Sequence, residues 1–181
     1  MRTHNFALQA HNATPAARAY SLDVAVEAGT NGSLRFVYSL RGDLSALEIP
    51  EPAHAQRTDD LWRRTCFEAF LRPSCQEGYL ELNFSPSSEW AAYSFSGYRK
   101  GMTPAALAAA PVITCEHDAQ RLTLEAHLTL AQPVNVALEL ALSAVLRERS
   151  GKISYWALRH APDKPDFHHD ASFAAMLDGV R

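Results

Sequence analysis

Residues 66–84 read CFEAFLRPSCQEGYLELNF, and this stretch contains two short segments with the alternation of β-strands. Successive side chains of a strand point to opposite faces, and segments 66–71 and 79–84 both carry an apolar residue at every second position. Between them, Arg72-Pro73-Ser74 has the composition of a turn. If the two segments pair, one face of the pair is wholly apolar, which predicts a core between two sheets.

The opposite face of the same pair carries Glu68, Glu81 and Asn83 beside Tyr79 and Phe70. Aromatic rings can stack on the C–H face of a sugar ring while carboxylate and amide groups bind its hydroxyls, and ligand sites generally combine a few placed polar groups with an apolar platform. This face therefore predicts a sugar-binding surface. The simpler alternative is the ordinary solvent-facing side of an antiparallel sheet, which alternates polar and apolar residues without any function.

Similar short segments continue on both sides of this pair and are separated by turn chemistry. Strands are predicted over 22–27, 34–40, 90–95, 112–115, 122–130, 153–158 and 173–177. The ambiguous segment 136–149 is interpreted as a strand in its first half, because its Leu residues alternate there. Thr103-Pro104 before AALAAA predicts one short helix, with an N-cap and a proline at the first helical position.

Many short strands with turns between them predict an all-β fold, an antiparallel β-sandwich with at most one or two short helices. An α+β domain is the alternative. The chain shows no repeat, no low-complexity linker and no change of composition that would mark a second unit. We therefore expect residues 1–181 to form a single domain.

Composition excludes several other classes of protein. The 181 residues are 47% hydrophobic, which makes a disordered chain improbable, and the net charge of -3 argues against nucleic acid as a partner. No apolar stretch is long enough for a membrane span, and the first residues lack the apolar region of a secretory signal. The three cysteines are widely spaced and suggest neither disulfides nor zinc. These features predict a cytoplasmic protein that binds no membrane.

Several motifs together resemble the bacterial DOMON-like proteins, which are relatives of family 9 carbohydrate-binding modules. The motifs are LWRRTCFEAFL at 61–71, YLELNFSPS at 79–87, WAAY at 90–93, YRKGM at 98–102, and SYWALRH at 154–160 followed by PDFH at 165–168. The resemblance covers about residues 20–177. It implies a jelly-roll-like β-sandwich and a non-catalytic domain that binds a small ligand, with sugar or haem as the ligand in relatives.

The resemblance also suggests individual site residues. By motif context, Trp62, Glu68, Arg99 and Trp156 are similar to the aromatic and polar groups that hold a sugar in the carbohydrate-binding relatives. Glu81 and Asn83 join them through the strand argument. The six residues that we expect to bind a ligand are therefore Trp62, Glu68, Glu81, Asn83, Arg99 and Trp156.

The histidines and methionines suggest two further alternatives. His168 and His169 are adjacent and would face opposite ways on an extended strand, so they cannot hold one ion together, and hydrogen-bonding roles are expected for them and for His160. We predict no metal site and no cofactor. Haem is kept as an alternative because His160 or His168 could pair with Met102 or Met176 as axial ligands.

Two other classes of function stay open. Glu68 and Glu81 could act as the acid pair of a glycoside hydrolase, although no motif for a catalytic nucleophile is present and no catalytic residue is predicted. Alternatively, the sheet or an exposed strand edge could bind a protein partner or a second copy of the chain. A homo-oligomer is compatible with that last alternative.

Overall fold

A computed structural model describes residues 2–132, 134 and 136–178. It contains twelve strands and three short 3₁₀ turns, and these described residues include no α-helix. In chain order, the strands β1 to β12 are Arg2–Ala10, Tyr20–Ala28, Ser33–Gly42, Cys66–Pro73, Tyr79–Phe84, Trp90–Phe95, Thr103–Pro104, Val112–His117, Arg121–Thr129, Leu138–Arg147, Ile153–Ala157 and Ala175–Leu177. The 3₁₀ turns are Leu44–Ala46, Leu61–Arg63 and Asp170–Ser172. The predicted all-β class is confirmed, and the α+β alternative is excluded.

The hydrogen-bonded strands run in the order β7-β6-β5-β4-β10-β11-β1-β2-β3-β9-β8, and all of their pairings are antiparallel. Strand β1 joins the two layers, because Arg2–Leu8 pair with β2 whereas Gln9 and Ala10 pair with β11. We call β8-β9-β3-β2 with the start of β1 the back sheet. The front sheet is β7-β6-β5-β4-β10-β11, and β12 pairs with the first residues of β10.

The main core lies between the two sheets. Phe67, Leu82 and Phe84 of the front sheet pack into it from one side, and Phe36 and Tyr38 of the back sheet from the other. The rings of Tyr38 and Phe67 lie 5.0 Å apart, and those of Phe36 and Phe84 lie 5.8 Å apart. The wholly apolar face predicted for β4 and β5 is therefore the buried inner face of the front sheet.

Most strand predictions are confirmed within one or two residues, but three details differ. The first strand was not predicted, and segment 136–149 is a strand along nearly its whole length rather than only its first half. The helix predicted after Thr103 is absent: Thr103–Pro104 pairs with β6, and the backbone N–H groups of Ala105 and Ala108 donate to Ala92 and Thr129. A six-residue apolar stretch is too short to hold a helix against such sheet contacts.

Within the described ranges, no helix has the length and apolar character needed to cross a bilayer.

Candidate ligand-binding cleft

A cleft of about 1050 Å³ opens on the outer face of the front sheet. Its floor is formed by strand side chains, namely Glu68, Glu81, Tyr93, Phe95, Val145 and Tyr155. Its walls come from loops, and they include Arg57, Asp59, Trp62, Arg99, Met102 and the segment 165–168. A second apolar cluster, separate from the main core, underlies this face and contains Phe70, Tyr79 and Phe167.

Strand register brings the two carboxyl groups of the floor together. Glu68 of β4 is directly opposite Asn83 of β5, and Glu81 is opposite Phe70, so Glu68 and Glu81 are diagonal neighbours on one face. Diagonal neighbours in an antiparallel pair are typically about 7–8 Å apart. On the other side of β4, Ser143 of β10 is also opposite Glu68. The face predicted to carry Glu68, Glu81 and Asn83 therefore exists, and it is the floor of the cleft.

Neutral hydrogen-bond donors hold both carboxyl groups. Ser143 Oγ donates to Glu68 Oε2 at 3.3 Å, and Asn83 Nδ2 donates to Glu81 Oε1 at 2.8 Å. Glu68 is 2% exposed and Glu81 is 6% exposed, although both reach the cleft. Burial raises the pKa of each group, and the neighbouring charge of Glu81 raises the pKa of Glu68 further. The floor thus favours protonated carboxyl groups when the cleft is empty.

Asp166 organises one wall of the cleft. This buried carboxylate accepts hydrogen bonds from the Tyr98 hydroxyl at 2.5 Å, from Arg99 Nη2 at 2.8 Å and from the backbone N–H of His168 at 3.1 Å. Burial acts to raise its pKa, but the Tyr98 and Arg99 hydrogen bonds outweigh that effect and lower it. Asp166 is therefore ionised, and its hydrogen bonds connect the loop after Pro165 to the loop after β6.

His168 connects this wall to the floor. The Tyr79 hydroxyl accepts from the backbone N–H of Arg99 at 3.2 Å and is hydrogen-bonded to His168 Nδ1 at 2.8 Å. His168 Nε2 lies 3.7 Å from Glu81 Oε2, beyond hydrogen-bond distance. Burial, followed by the positive charge of Arg99, lowers the pKa of His168 to about 4, so the ring is neutral near neutral pH.

The opposite wall is built around a second carboxylate. Asp59 Oδ1 accepts from the Tyr93 hydroxyl at 2.6 Å and pairs with Arg57 Nη1 at 2.9 Å. The Arg57 guanidinium lies over the Tyr93 ring, 5.1 Å from its centre. Trp62, in the 3₁₀ turn that follows, lines the cleft and is 46% exposed. Exposed aromatic surface at the edge of a polar cleft suits stacking against a ligand.

No protein-family model matches the sequence, and no curated protein matches it either. Among solved structures, the chain is similar to a candidate carbohydrate-binding protein from Bacteroides uniformis, with a TM-score of 0.65 at 9% identity, over 98% of this chain and 85% of that one. It is also similar to a family 9 carbohydrate-binding module from Caldicellulosiruptor kristjanssonii. The complex of that module with cellotriose gives a TM-score of 0.57 at 11% identity, covering 90% of this chain and 76% of the module. The glucose complex gives 0.53 at 12% identity, covering 90% and 78%.

The chain has a fold like that of carbohydrate-binding modules. Four of the six residues predicted from sequence line its cleft, namely Trp62, Glu68, Glu81 and Arg99. Asn83 is on the same face but does not line the cleft; it is almost fully buried and orients Glu81. Its position makes it a supporting residue rather than a lining one.

The structure corrects the prediction for Trp156. This residue is 5% exposed, packs into the main core and donates from Nε1 to Ser154 Oγ at 3.0 Å. Register explains the difference, because Trp156 is opposite Ala144, another core residue, whereas Tyr155 is opposite Val145 of the cleft floor. The aromatic side chain that β11 contributes to the cleft is therefore Tyr155.

Hydrogen-bonding roles are confirmed for the three histidines that the sequence singled out. His160 Nε2 lies 2.7 Å from the carbonyl oxygen of Gln9, His169 Nδ1 accepts from the backbone N–H of Ala171, and His168 bonds to Tyr79. Of the residues considered for haem, His168 and Met102 line the cleft, whereas His160 and Met176 do not. Across residues 2–132, 134 and 136–178, no three His, Cys, Asp or Glu side chains are grouped as metal ligands.

Sequence reasoning missed several cleft residues. Tyr93 and Phe95 lie on the predicted strand 90–95, and pairing of Tyr93 with Glu81 places them on the floor, so extending the alternation by one strand would have found them. Asp59, its partner Arg57, and Asp166 lie outside the strands, in loops. Loop residues have no periodicity, and no comparable sequence signal marks them.

Proposed function

We propose that this protein is a non-catalytic binding domain that holds a sugar or sugar derivative in the cleft of the front sheet. The observation that carries the proposal is the convergence of Trp62, Tyr93 and Tyr155 with the carboxyl groups of Glu68 and Glu81 on one open concavity. The aromatic rings offer surfaces for the C–H face of a sugar, and the carboxyl groups can bind its hydroxyls. The fold shared with carbohydrate-binding modules supports this proposal.

Within this proposal, each residue has a distinct part. Trp62 stacks on the ligand from the rim, Glu68 and Glu81 bind hydroxyl groups at the floor, and Arg99 contributes a donor from the wall. Asn83 fixes the orientation of Glu81. From the sequence motifs we also propose that the protein is related to the DOMON-like proteins. We propose in addition that the chain forms a single domain.

A binding experiment tests the proposal directly. Isotope-labelled protein is titrated with glucose, cellotriose and other mono- and oligosaccharides while backbone amide NMR signals are followed. We expect saturable shifts at residues of the cleft, and we expect Trp62→Ala to weaken binding by about ten- to a hundredfold. The control Val112→Ala removes an exposed apolar side chain from the back sheet and leaves binding unchanged. Unchanged spectra with every sugar would contradict the proposal.

The carboxyl pair also supports a second candidate, glycoside hydrolysis. The register makes Glu68 and Glu81 diagonal neighbours, and the spacing of about 7–8 Å that is typical of such positions is in the range of paired-acid chemistry. Such a mechanism needs one protonated and one ionised carboxyl group, so the environments of the two should push their pKa values apart. Burial instead raises the pKa of both carboxyl groups in the same direction, and this favours a binding role over acid–base catalysis. If the protein releases nitrophenol from chromogenic glycosides, and if Glu81→Gln abolishes that release, hydrolysis is favoured over simple binding.

The alternative of a protein-interaction module receives less support from the same face. A stable protein interface needs a large self-complementary or partner-complementary surface with few charges at its centre. Here the centre of the face is a concavity whose deepest polar groups are two carboxyl groups. A small ligand fits that shape and chemistry better than a protein surface does.

A further inference from the structure

The floor of the cleft holds two carboxyl groups, whereas the two arginines of the lining already pair with carboxylates of the walls. Arg57 pairs with Asp59 at 2.9 Å, and Arg99 pairs with Asp166 at 2.8 Å. Lys164, the remaining lysine or arginine of the lining, is exposed. Both arginines are therefore neutralised within the walls, and among the described residues no lysine or arginine pairs with Glu68 or Glu81.

Each floor carboxyl group also has one oxygen free for a ligand. Glu68 Oε2 accepts from Ser143, and Glu68 Oε1 has no hydrogen-bond partner within the described ranges. Glu81 Oε1 accepts from Asn83, while Glu81 Oε2 faces His168 Nε2 at a distance of 3.7 Å, too long for a hydrogen bond. Both side chains are more than nine-tenths buried and both line the cleft.

We propose that the ligand is an amino sugar whose free, protonated amine binds between Glu68 and Glu81; this inference rests on the proposed function. An ammonium group has three donors and no acceptor, which matches two floor oxygens that accept no hydrogen bond from the described residues. The aromatic floor favours a cation as well, because the ring face of Tyr155 carries negative electrostatic potential.

Binding of the amine should also release a proton from the protein. Burial and mutual repulsion favour protonated carboxyl groups in the empty cleft, and an entering ammonium favours their ionised forms. The titratable or charged groups around the pair are Cys66 on β4, Tyr79 on β5, Tyr93 on β6, Tyr155 on β11, and, from the walls, Arg57, Asp59, Asp60, Arg99, Lys164, Asp166 and His168. Hydrogen bonds from Tyr93 and from Tyr98 and Arg99 lower the pKa of Asp59 and Asp166, so both are already ionised near neutral pH. Burial raises the pKa of Cys66, Tyr79 and Tyr93 and lowers that of His168, so these four stay neutral near neutral pH. The released proton is therefore expected from the carboxyl pair.

Isothermal titration calorimetry of the full chain tests the inference with glucosamine, N-acetylglucosamine and glucose. The titrations are run at about pH 6.5, where a free amine is protonated, in two buffers of different ionisation enthalpy. We expect glucosamine to bind at least about tenfold more tightly than the other two sugars. We also expect its apparent enthalpy to depend on the buffer, which reports proton release, whereas that of N-acetylglucosamine does not.

Variants separate this inference from the proposed function. Glu68→Gln should abolish the preference for glucosamine and the buffer dependence, and Glu81→Gln is a second variant in case the first does not fold. Glu116→Gln, an exposed carboxyl group on β8, is the matched control and should retain both. Equal binding of glucose and glucosamine would overturn the inference and leave sugar binding intact. Binding of none of the three sugars would overturn the inference and count against the proposed function as well.

Discussion

The Tyr38 side chain extends across the core, and its hydroxyl donates a hydrogen bond of 2.8 Å to the backbone carbonyl of Glu68. Tyr38 belongs to the back sheet and is fully buried, whereas the Glu68 side chain lines the cleft on the far side of the front sheet. The bond therefore ties the strand that carries a proposed ligand-binding residue to the opposite layer. Packing of the Tyr38 ring on Phe67 reinforces the same contact.

Tyr38→Phe should destabilise the protein, because it removes this bond and leaves the ring in place. We expect the free energy of unfolding to fall by about 1–2 kcal/mol in urea denaturation. Tyr20→Phe is the matched control, since the Tyr20 hydroxyl is buried and lacks a hydrogen-bond partner in the described chain. That variant should be unchanged or more stable. Equal losses in both variants would show that the Tyr38 bond is unimportant.

The two tryptophans that the sequence predicted to bind the ligand should behave in different ways. Trp62→Ala is expected to leave stability within about 0.5 kcal/mol of the wild type, since the side chain is 46% exposed. Trp156→Ala should lower the free energy of unfolding by about 3–5 kcal/mol, because it opens a cavity in the main core. Thermal and urea denaturation measure both effects. A destabilised Trp62 variant with an unaffected Trp156 variant would contradict this placement.

Asp166→Asn should loosen the wall of the cleft. The substitution keeps the size of the side chain but removes the charge that holds Tyr98 and Arg99, and we expect a loss of about 2 kcal/mol in stability. Faster amide hydrogen exchange across residues 163–173 would report the loosening. Asp163→Asn removes an exposed carboxylate from the same loop and should change neither quantity.

His168 should make stability depend on pH between about 4 and about 6.5. Its folded-state pKa is lowered to about 4, so in this window the unfolded chain binds a proton that the folded chain does not. Stability should therefore fall as the pH is lowered, by up to about 3 kcal/mol. His168→Asn, which keeps an acceptor for Tyr79, should lose this dependence. His54→Gln, in an exposed loop, should retain it.

Glu68 should make stability change with pH in the opposite direction. Its pKa is raised on folding, so its contribution to stability is present at low pH and is lost as the pH rises through the folded-state pKa. Glu68→Gln removes a group that opposes folding when ionised. We expect the stability of this variant relative to wild type to increase in urea titrations as the pH rises above about 4.5, the ordinary pKa of a glutamate. A difference that does not change with pH would show that the Glu68 carboxyl group titrates normally.

The strand pattern made most of the fold predictable. Alternation over 66–71 and 79–84 assigned Phe67 and Leu82 to the core face and Glu68 and Glu81 to the other, and the structure agrees. The same rule applied to Phe6, Leu8 and Ala10 would have found β1, because these residues face the core. Period-two alternation is a local property of the chain, which is why it can be seen in a single sequence.

The failures have a common cause. Whether β11 turns Tyr155 or Trp156 toward the cleft depends on its register with β10, and a shift of one residue exchanges the two faces. Likewise, the segment after Thr103 has a favourable helix composition, but hydrogen bonds to Ala92 and Thr129 hold it in an extended course. Both outcomes depend on partners that are distant in the sequence.

The sequence alone determined the all-β class, the inner face of β4 and β5, and the presence of carboxyl and amide groups on the outer face, because strand periodicity and turn chemistry act over a few residues. Only the tertiary structure decided that this face is a cleft, that Asp166 and His168 close one wall of it, and that Trp156 lies outside it. Those features require loops and strands far apart in the chain to meet, and long-range register and loop packing leave no periodic trace in the sequence.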